Sequence, residues 1–160
     1  MDVIVLAALY TVRIVAGGAA SQVEISPWLG GFSLFFFLSL AIVKRYSELH
    51  NLQVRGLTPA NQRGYLVGDL DQLRSFGTAS GYAAVVVFTL YINSPAVVGL
   101  YTHPQRLWLL APLLIFWISR VWLLAARGQL DDDPVIFAIT DRVSLLLGLL
   151  TVAVLFGSAL

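Results

Sequence analysis

The sequence predicts an all-α fold, a polytopic bundle of transmembrane helices that forms a single domain. Of its 160 residues, 58% are apolar and only 12% are charged, whereas about 25% of the residues of a soluble domain are charged. The apolar residues form separate blocks, and a helix needs roughly 20 of them to cross the hydrocarbon core of a bilayer. Five blocks approach that length and predict spans over residues 3–20, 27–43, 79–99, 105–126 and 134–158.

The first two spans are separated by a turn near residues 21–26 that contains the turn signal Ser26-Pro27. The first span follows Asp2 directly, without the basic region or cleavage site of a signal peptide. This abrupt start leads us to expect that the chain is the later part of a longer protein. The second span, at 27–43, is short, and we expect it to include a few flanking residues.

The last three spans are delimited by turn and capping residues. Ser-Pro and His-Pro turn signals lie in the segment 94–104, between the third and fourth spans. Asp133 and Pro134 predict the start of the fifth span, with Asp133 as N-cap and Pro134 at the first helical position. Small residues allow helices to pack closely in lipid, and the glycines expected to do so are Gly17, Gly18, Gly30, Gly31, Gly77 and Gly81.

Basic residues predict the orientation of the bundle. They cluster between spans two and three and around the end of span four: Lys44, Arg45, Arg55, Arg63, Arg74, Arg120 and Arg127. The turns near 21–26 and 94–104 contain none. The positive-inside rule therefore places the loops 44–78 and 127–133 in the cytoplasm, with the N-terminus inside and the C-terminus outside. We expect a bacterial inner-membrane protein with its chemistry on the cytoplasmic side, where most acidic residues also lie.

Several kinds of function are excluded. The chain has no cysteine, which rules out disulfides, thiolate metal sites and a cysteine nucleophile. Its net charge of +1 and the lack of a basic tail argue against nucleic-acid binding. No glycine-rich phosphate loop, serine–histidine pairing or histidine metal box is present. His50 and His103 fall on opposite membrane faces of the predicted topology and cannot cooperate.

The segment "KRYSEL", residues 44–49, has two interpretations. Lys44 and Glu48 are one helical turn apart, so they can form a simple i,i+4 ion pair with side chains that reach the membrane interface. Alternatively, two cations, the phenol of Tyr46 and a carboxylate lie within two turns, a set able to hold a phosphate and a divalent metal. Both interpretations stay open on the residues alone.

Arg13 lies near the middle of the first span. An unpaired arginine at the centre of a bilayer costs at least about 2.5–3.5 kcal/mol, so this side chain is expected to face a polar interior and to have an acidic partner. Asp141 is one candidate. A carboxylate on a segment outside this chain is another.

The acidic character of "DDDPVIFAITDR" continues into the bundle. Asp133, Phe137 and Asp141 lie close to one helix face, and a carboxylate inside a membrane bundle indicates a metal, a cation or a proton path. Arg120 and Arg127 are seven residues apart and share a face at the cytoplasmic end of span four. Either contact with headgroups or phosphate binding explains these two arginines.

Three segments carry a family resemblance: "LAALYTVRIVAGGAA", "SLFFFLSLAIVKRYSEL" and "DDDPVIFAITDRVSLL". In this order they resemble the C-terminal half of the UbiA superfamily of integral-membrane prenyltransferases. "KRYSEL" and "DDPVIFAITDR" look most like the branch that contains decaprenyl-phosphate phosphoribosyltransferase. The resemblance implies that the five spans correspond to the last five helices of a nine-helix bundle.

The same resemblance implies a cytoplasmic cavity where Mg²⁺ bridges a diphosphate to two acidic motifs. The first motif, NDxxDxxxD, is absent here, so the missing N-terminal half or another chain is expected to supply it. The second, DxxxD, aligns with Lys44 through Glu48. Because lysine replaces one aspartate, the pattern favours the phosphoribosyl branch, in which basic and tyrosine side chains contact phosphates.

The implied function is transfer of phosphoribosyl from phosphoribosyl pyrophosphate to a polyprenyl phosphate. An aromatic polyprenyltransferase of the 4-hydroxybenzoate type is an alternative, and a non-catalytic membrane protein or transporter is another. The residues expected to act are Lys44, Glu48 and Asp141 in catalysis, Glu48 and Asp141 on Mg²⁺, and Arg13, Arg45, Tyr46, Arg120 and Arg142 in binding the polyprenyl lipid and the phosphorylated donor.

Overall fold

The structure is a computed structural model, and it describes residues 2–21, 26–56, 64–130 and 133–160. Its helices are α1 (Asp2–Ala20), α2 (Pro27–Val54), α3 (Leu70–Ile92), α4 (Pro95–Val98), α5 (Leu110–Ala126), α6 (Pro134–Thr140) and α7 (Arg142–Ala159). Short 3₁₀ helices, Val67–Asp69 and Pro104–Leu109, lead into α3 and α5. These described ranges contain no strand, and five helical segments are long and apolar enough to cross a membrane. The all-α transmembrane fold class is confirmed.

The second and third helices extend further than their apolar blocks. Helix α2 continues to Val54 instead of stopping at residue 43, and α3 begins at Leu70, nine residues before the predicted 79. Both extensions are amphipathic: Leu49 and Leu73 are buried, while charged neighbours such as Glu48 face outwards. Much of the predicted 44–78 loop is therefore helix, because one buried face is enough to hold a helix together.

The predicted fifth span, 134–158, is interrupted at Asp141. Helix α6 ends there, and the Asp141 backbone is extended, with φ −76° and ψ 127°. Its carboxylate accepts a hydrogen bond from the Ser144 backbone N–H, so Asp141 is the N-cap of α7 instead of an interior residue of one long helix. The cap predicted at Asp133 is confirmed, since its side chain accepts from the Val135 N–H with Pro134 at the first position.

Helices α2, α3 and α5 meet at glycines in the centre of the bundle. A Cβ on Gly77 would lie 2.0 Å from Trp122 Cζ2, and one on Gly81 would lie 2.7 Å from Ile118 Cγ2. The close approach predicted at these two glycines is confirmed. At Gly17 and Gly30, by contrast, a Cβ would meet nothing within 4 Å, so the same prediction is wrong for contacts within the described part of the chain.

Candidate functional site

Charged side chains gather at one end of the bundle, where α1 begins, α2 ends and α6 leads into α7. We call this region the charged end. It contains three ion-paired groups: Lys44 with Asp133, Arg45 with Asp2 and Glu48, and Arg120 with Asp141. The structure thus brings most of the predicted site residues to one end of the molecule. Ion pairs there neutralise the charges of Lys44, Arg45, Glu48, Arg120 and Asp141.

The Lys44 and Asp133 side chains connect α2 to α6. Lys44 Nζ lies 2.5 Å from Asp133 Oδ2, and the Lys44 side chain is 48% exposed. Burial raises the pKa of the Asp133 carboxyl, but hydrogen bonds from Lys44 and from the Val135 backbone N–H outweigh burial and lower this pKa below its usual value. Lys44 is therefore the accessible cation of the pair, and Asp133 is the carboxylate that holds it.

Arg45 is enclosed by acidic and aromatic neighbours. Its guanidinium donates to Asp2 and to Glu48, and it lies 5.8 Å from the centroid of the Tyr65 ring. Only 11% of the side chain is exposed. Arg45 therefore ties α1 to α2 and has little surface left to bind a substrate.

Tyr46 points away from Lys44 and into the core. Residues two positions apart differ by about 200° around a helix, and Tyr46 is buried. Its ring packs edge-on against Trp122 and stacks on His50, with both pairs of centroids 5.8 Å apart. The predicted substrate contact of Tyr46 is thus not part of the same pocket as Lys44 in this structure.

Asp141 is paired with Arg120. Its two carboxylate oxygens accept hydrogen bonds from Arg120 Nη1 at 2.7 Å and Nη2 at 3.0 Å. The same carboxylate accepts from the backbone N–H and the hydroxyl of Ser144. The expected partnership of Asp141 with Arg13 is therefore wrong, because a closer cation on α5 occupies both oxygens.

Arg13 and Arg142 have no carboxylate partner among the described residues. Both are exposed, and the Arg13 guanidinium lies 5.3 Å from the centroid of the Tyr10 ring. The other charged residues singled out from the sequence include Arg63, Asp131 and Asp132, which lie outside the described residues.

An apolar groove opens between α2, α5, α6 and α7, and it has a volume of about 390 Å³. A smaller pocket of about 70 Å³, the charged pocket, lies beside it and has Lys44 and Asp133 in its wall. The two share four lining residues: Phe37, Leu40, Pro134 and Val135. Sequence reasoning missed this arrangement, because apolar side chains that line a groove have the same spacing as those that pack against a neighbouring helix.

The described carboxylates do not form a magnesium site. Glu48 accepts from Arg45, while Asp141 accepts from Arg120 and Ser144. No group of three acidic, histidine or cysteine side chains able to hold a metal occurs in the described residues. Mg²⁺ is usually bound by one or two carboxylates together with waters and substrate phosphates, and here both expected ligands are engaged by cations. The donor set therefore does not fit the metal.

Curated relatives match nearly the whole chain. It is 40% identical over 152 residues to the uncharacterized protein y4nM of Sinorhizobium fredii, a match that covers 94% of the chain. It is 34% identical over 148 residues to the nodulation protein NoeC of Azorhizobium caulinodans, covering 91% of the chain. Decaprenyl-phosphate phosphoribosyltransferase of Mycobacterium tuberculosis is 26% identical over 154 residues, covering 96% of the chain. The last similarity supports the resemblance to the UbiA superfamily.

The chain spans about half the length or less of these relatives: 29% of y4nM, 47% of NoeC and 48% of the phosphoribosyltransferase. No protein-family model matches it. No solved structure matches it either.

Proposed function

We propose that the chain is part of a UbiA-type membrane transferase that acts on a polyprenyl phosphate or diphosphate. In its specific form, the proposal is transfer of phosphoribosyl to a polyprenyl phosphate. It is supported by the 26% identity to decaprenyl-phosphate phosphoribosyltransferase along 96% of the chain. The observation that carries it is the apolar groove adjoining the charged pocket.

A polyprenyl phosphate combines a long apolar tail with one anionic head. The apolar groove can hold part of the tail. The tail then exchanges its contacts with lipid for contacts with the side chains of the groove, so the gain comes from close packing. The shared residues Phe37 and Leu40 lead from this groove to Lys44. A lysine ammonium is a compact point charge suited to a phosphate oxygen, so head and tail have adjacent complementary surfaces.

The other charged residues have supporting roles. Lys44 would exchange its contact with Asp133 for the lipid phosphate, since it is the exposed member of the pair. Arg120 and Asp141 fix the start of α7, which lines the apolar groove through Leu147 and Gly148. Arg45 joins α1 to the end of α2. These two arginines are positioning residues in the proposal.

In the phosphoribosyl reaction, an oxygen of the polyprenyl phosphate forms a bond to the anomeric carbon of the donor. The bond from that carbon to pyrophosphate breaks, and pyrophosphate leaves with the bonding electrons. Lys44 orients the attacking phosphate, and its positive charge reduces the repulsion between this phosphate and the anionic donor. We propose that a segment outside this chain, carrying the first acidic motif, completes the enzyme and supplies the ligands for the Mg²⁺ dependence expected of it.

Binding of decaprenyl phosphate to the chain in lipid nanodiscs tests the lipid site. We expect Lys44→Ala to weaken binding about tenfold, because one charge-assisted contact is worth about 1.5–3 kcal/mol, while Lys44→Arg keeps most of the affinity. Arg55→Ala is the matched control, since Arg55 is an exposed cation at the end of α2 that lines neither pocket. Decaprenol, which lacks the phosphate, should bind the parent and Lys44→Ala equally. Equal affinity of Lys44→Ala and the parent for decaprenyl phosphate would contradict the proposed site.

Turnover of the complete protein tests the specific reaction. Pyrophosphate release is measured with phosphoribosyl pyrophosphate plus decaprenyl phosphate, and separately with a polyprenyl diphosphate plus 4-hydroxybenzoate, each with and without Mg²⁺. Release only with the first pair supports phosphoribosyl transfer, and release only with the second supports the aromatic branch. No release with either pair supports a non-catalytic membrane protein.

A further inference from the structure

Arg13 lies deep inside its span and is exposed on the surface of α1. It is 11 residues from Asp2, which corresponds to about 16 Å at 1.5 Å per residue. Its guanidinium lies over the ring of Tyr10, one turn back towards the charged end. The side chain therefore points towards the middle of the span instead of reaching for the nearer end at Ala20.

A second copy of this chain cannot neutralise Arg13. The acidic residues of the sequence are Asp2, Glu24, Glu48, Asp69, Asp71, Asp131, Asp132, Asp133 and Asp141. Those that the structure describes lie outside the central part of the membrane-spanning segments. The other three, Glu24, Asp131 and Asp132, fall between the spans predicted from the sequence. A charged side chain at mid-bilayer depth is expensive unless it is paired, so the partner must differ from this chain.

The face of α1 that carries Arg13 is free within the described chain. Leu9, Ala16 and Ala20 are exposed at helical spacing on either side of it, and a Cβ on the adjacent Gly17 would meet no atom within 4 Å. The face of α1 that is buried, through residues such as Ala7, is a different one. Small exposed residues around a polar one are typical of contacts between transmembrane helices.

We propose that this face of α1 binds a transmembrane helix from outside the chain, and that the helix carries a carboxylate at mid-bilayer depth opposite Arg13. Charge complementarity selects the carboxylate, and the empty space at Gly17 allows the two backbones to approach closely. The relatives that match the chain are at least about twice its length, so their additional sequence can contain such a helix. The inference is independent of the proposed transferase activity.

Association with model helices in phosphatidylcholine vesicles tests this proposal. The probe is a labelled leucine–alanine transmembrane peptide with a single Glu at its midpoint, and its energy transfer to the labelled chain is measured. Matched peptides carry Gln or Leu instead. We expect the Glu peptide to associate about tenfold more strongly than the Leu peptide, because a polar contact between helices in lipid contributes about 1–2 kcal/mol.

Variants of the chain identify the surface. Arg13→Gln and Gly17→Ile should remove the preference for Glu, whereas Arg13→Lys should retain it. Arg142→Gln is the matched control, since Arg142 is also an exposed arginine without a carboxylate partner in the described residues. Arg13→Glu should prefer a peptide that carries Lys at its midpoint. This reversed preference would also show that the variant inserts into the membrane.

Two results overturn the proposal. One is equal binding of the Glu, Gln and Leu peptides to the parent chain. The other is a loss of decaprenyl phosphate binding in Arg13→Gln without any change in peptide association, which would assign Arg13 to a lipid phosphate.

Discussion

At the scale of single residues, the cations of the charged end differ in how they are neutralised. Arg45 is largely enclosed between Asp2 and Glu48, and Arg120 forms two hydrogen bonds with Asp141. Lys44 makes one ion pair and stays 48% exposed. Exposure, more than charge, therefore separates a residue that can receive a ligand from residues that hold helices together.

Asp141→Ala is expected to destabilise the protein by about 2–4 kcal/mol. The substitution removes the N-cap of α7 and leaves the partly buried Arg120 without its partner. The free energy of unfolding is measured in mixed detergent micelles by circular dichroism. Asp141→Asn should lower the free energy of unfolding by less than Asp141→Ala, because the amide oxygen of asparagine can still accept a hydrogen bond from the Ser144 N–H.

Asp71→Ala is the matched control for this measurement. Asp71 also pairs with an arginine, Arg74, but its side chain is 92% exposed. Exposed ion pairs contribute about 0–1 kcal/mol, so the change should be small. If Asp141→Ala lowers the free energy of unfolding by no more than Asp71→Ala does, Asp141 has no structural role of this kind.

At the scale of elements, α6 is a short helix held at both ends by ion pairs. Asp133 connects its start to α2, and Asp141, just after its end, connects to α5. Between them, Ala138 and Ile139 line the apolar groove. The position of α6 therefore determines how open that groove is, and it depends on two carboxylates.

Acidification should release the start of α6 from α2. The pKa of Asp133 in the folded protein lies below its ordinary value of 3.8, so the stabilisation is fully present above about pH 4 and is lost as pH falls through the lower, folded-state pKa. The chain has no cysteine, so spin labels can be placed through Val54→Cys and through Ile136→Cys, which is exposed near the start of α6. The distance distribution between them should be narrow at pH 7 and should broaden below about pH 4.

Asp133→Asn is the control for this effect. The amide keeps an oxygen for the Val135 N–H but removes the ionic contact with Lys44. The distribution should then already be broad at pH 7 and should change little on acidification. A narrow distribution in Asp133→Asn at pH 7 would show that the ion pair does not hold α6.

Local signals allowed parts of the fold to be predicted from the sequence. The cap at Asp133 depends only on adjacent residues, and the apolar blocks depend only on composition. The extension of α2 to Val54 could not be predicted in this way, because the burial of Leu49 depends on helices far away in the chain. Asp141 was recognised as an interior carboxylate, but its pairing with Arg120 requires the relative positions of α5 and α7.

The glycines show the same limit. Gly77 and Gly17 look alike in the sequence, yet Gly77 packs against Trp122 and Gly17 faces open space. A glycine permits close packing because it is small, but its size does not show which helix, if any, packs against it. The sequence predicted which charged residues belong to the candidate site and that they lie at the same end of the bundle. It could not predict the apolar groove, because the groove depends on how four helices are arranged.

At the scale of the whole molecule, the described residues line apolar grooves on different sides of α2, and two of these grooves are similar in size. The first is the apolar groove of about 390 Å³ beside Lys44. The second, of about 440 Å³, lies between α1, α2 and α3 and is lined by residues that include Phe35, Phe76 and Ala83. Only the first shares lining residues with the charged pocket. A ligand with an anionic head and an apolar tail should therefore select the first groove.

Filling each groove in turn tests this selection. Ala138→Phe places a ring in the first groove and Ala83→Phe places one in the second, and both alanines are partly exposed in the parent. We expect Ala138→Phe to weaken decaprenyl phosphate binding about tenfold, because the ring takes space that the tail would fill, and overpacking typically costs about 1–3 kcal/mol. Ala83→Phe should bind like the parent. Thermal unfolding of both variants verifies that the bundle is intact, and weaker binding in Ala83→Phe alone would place the lipid tail in the second groove, away from Lys44.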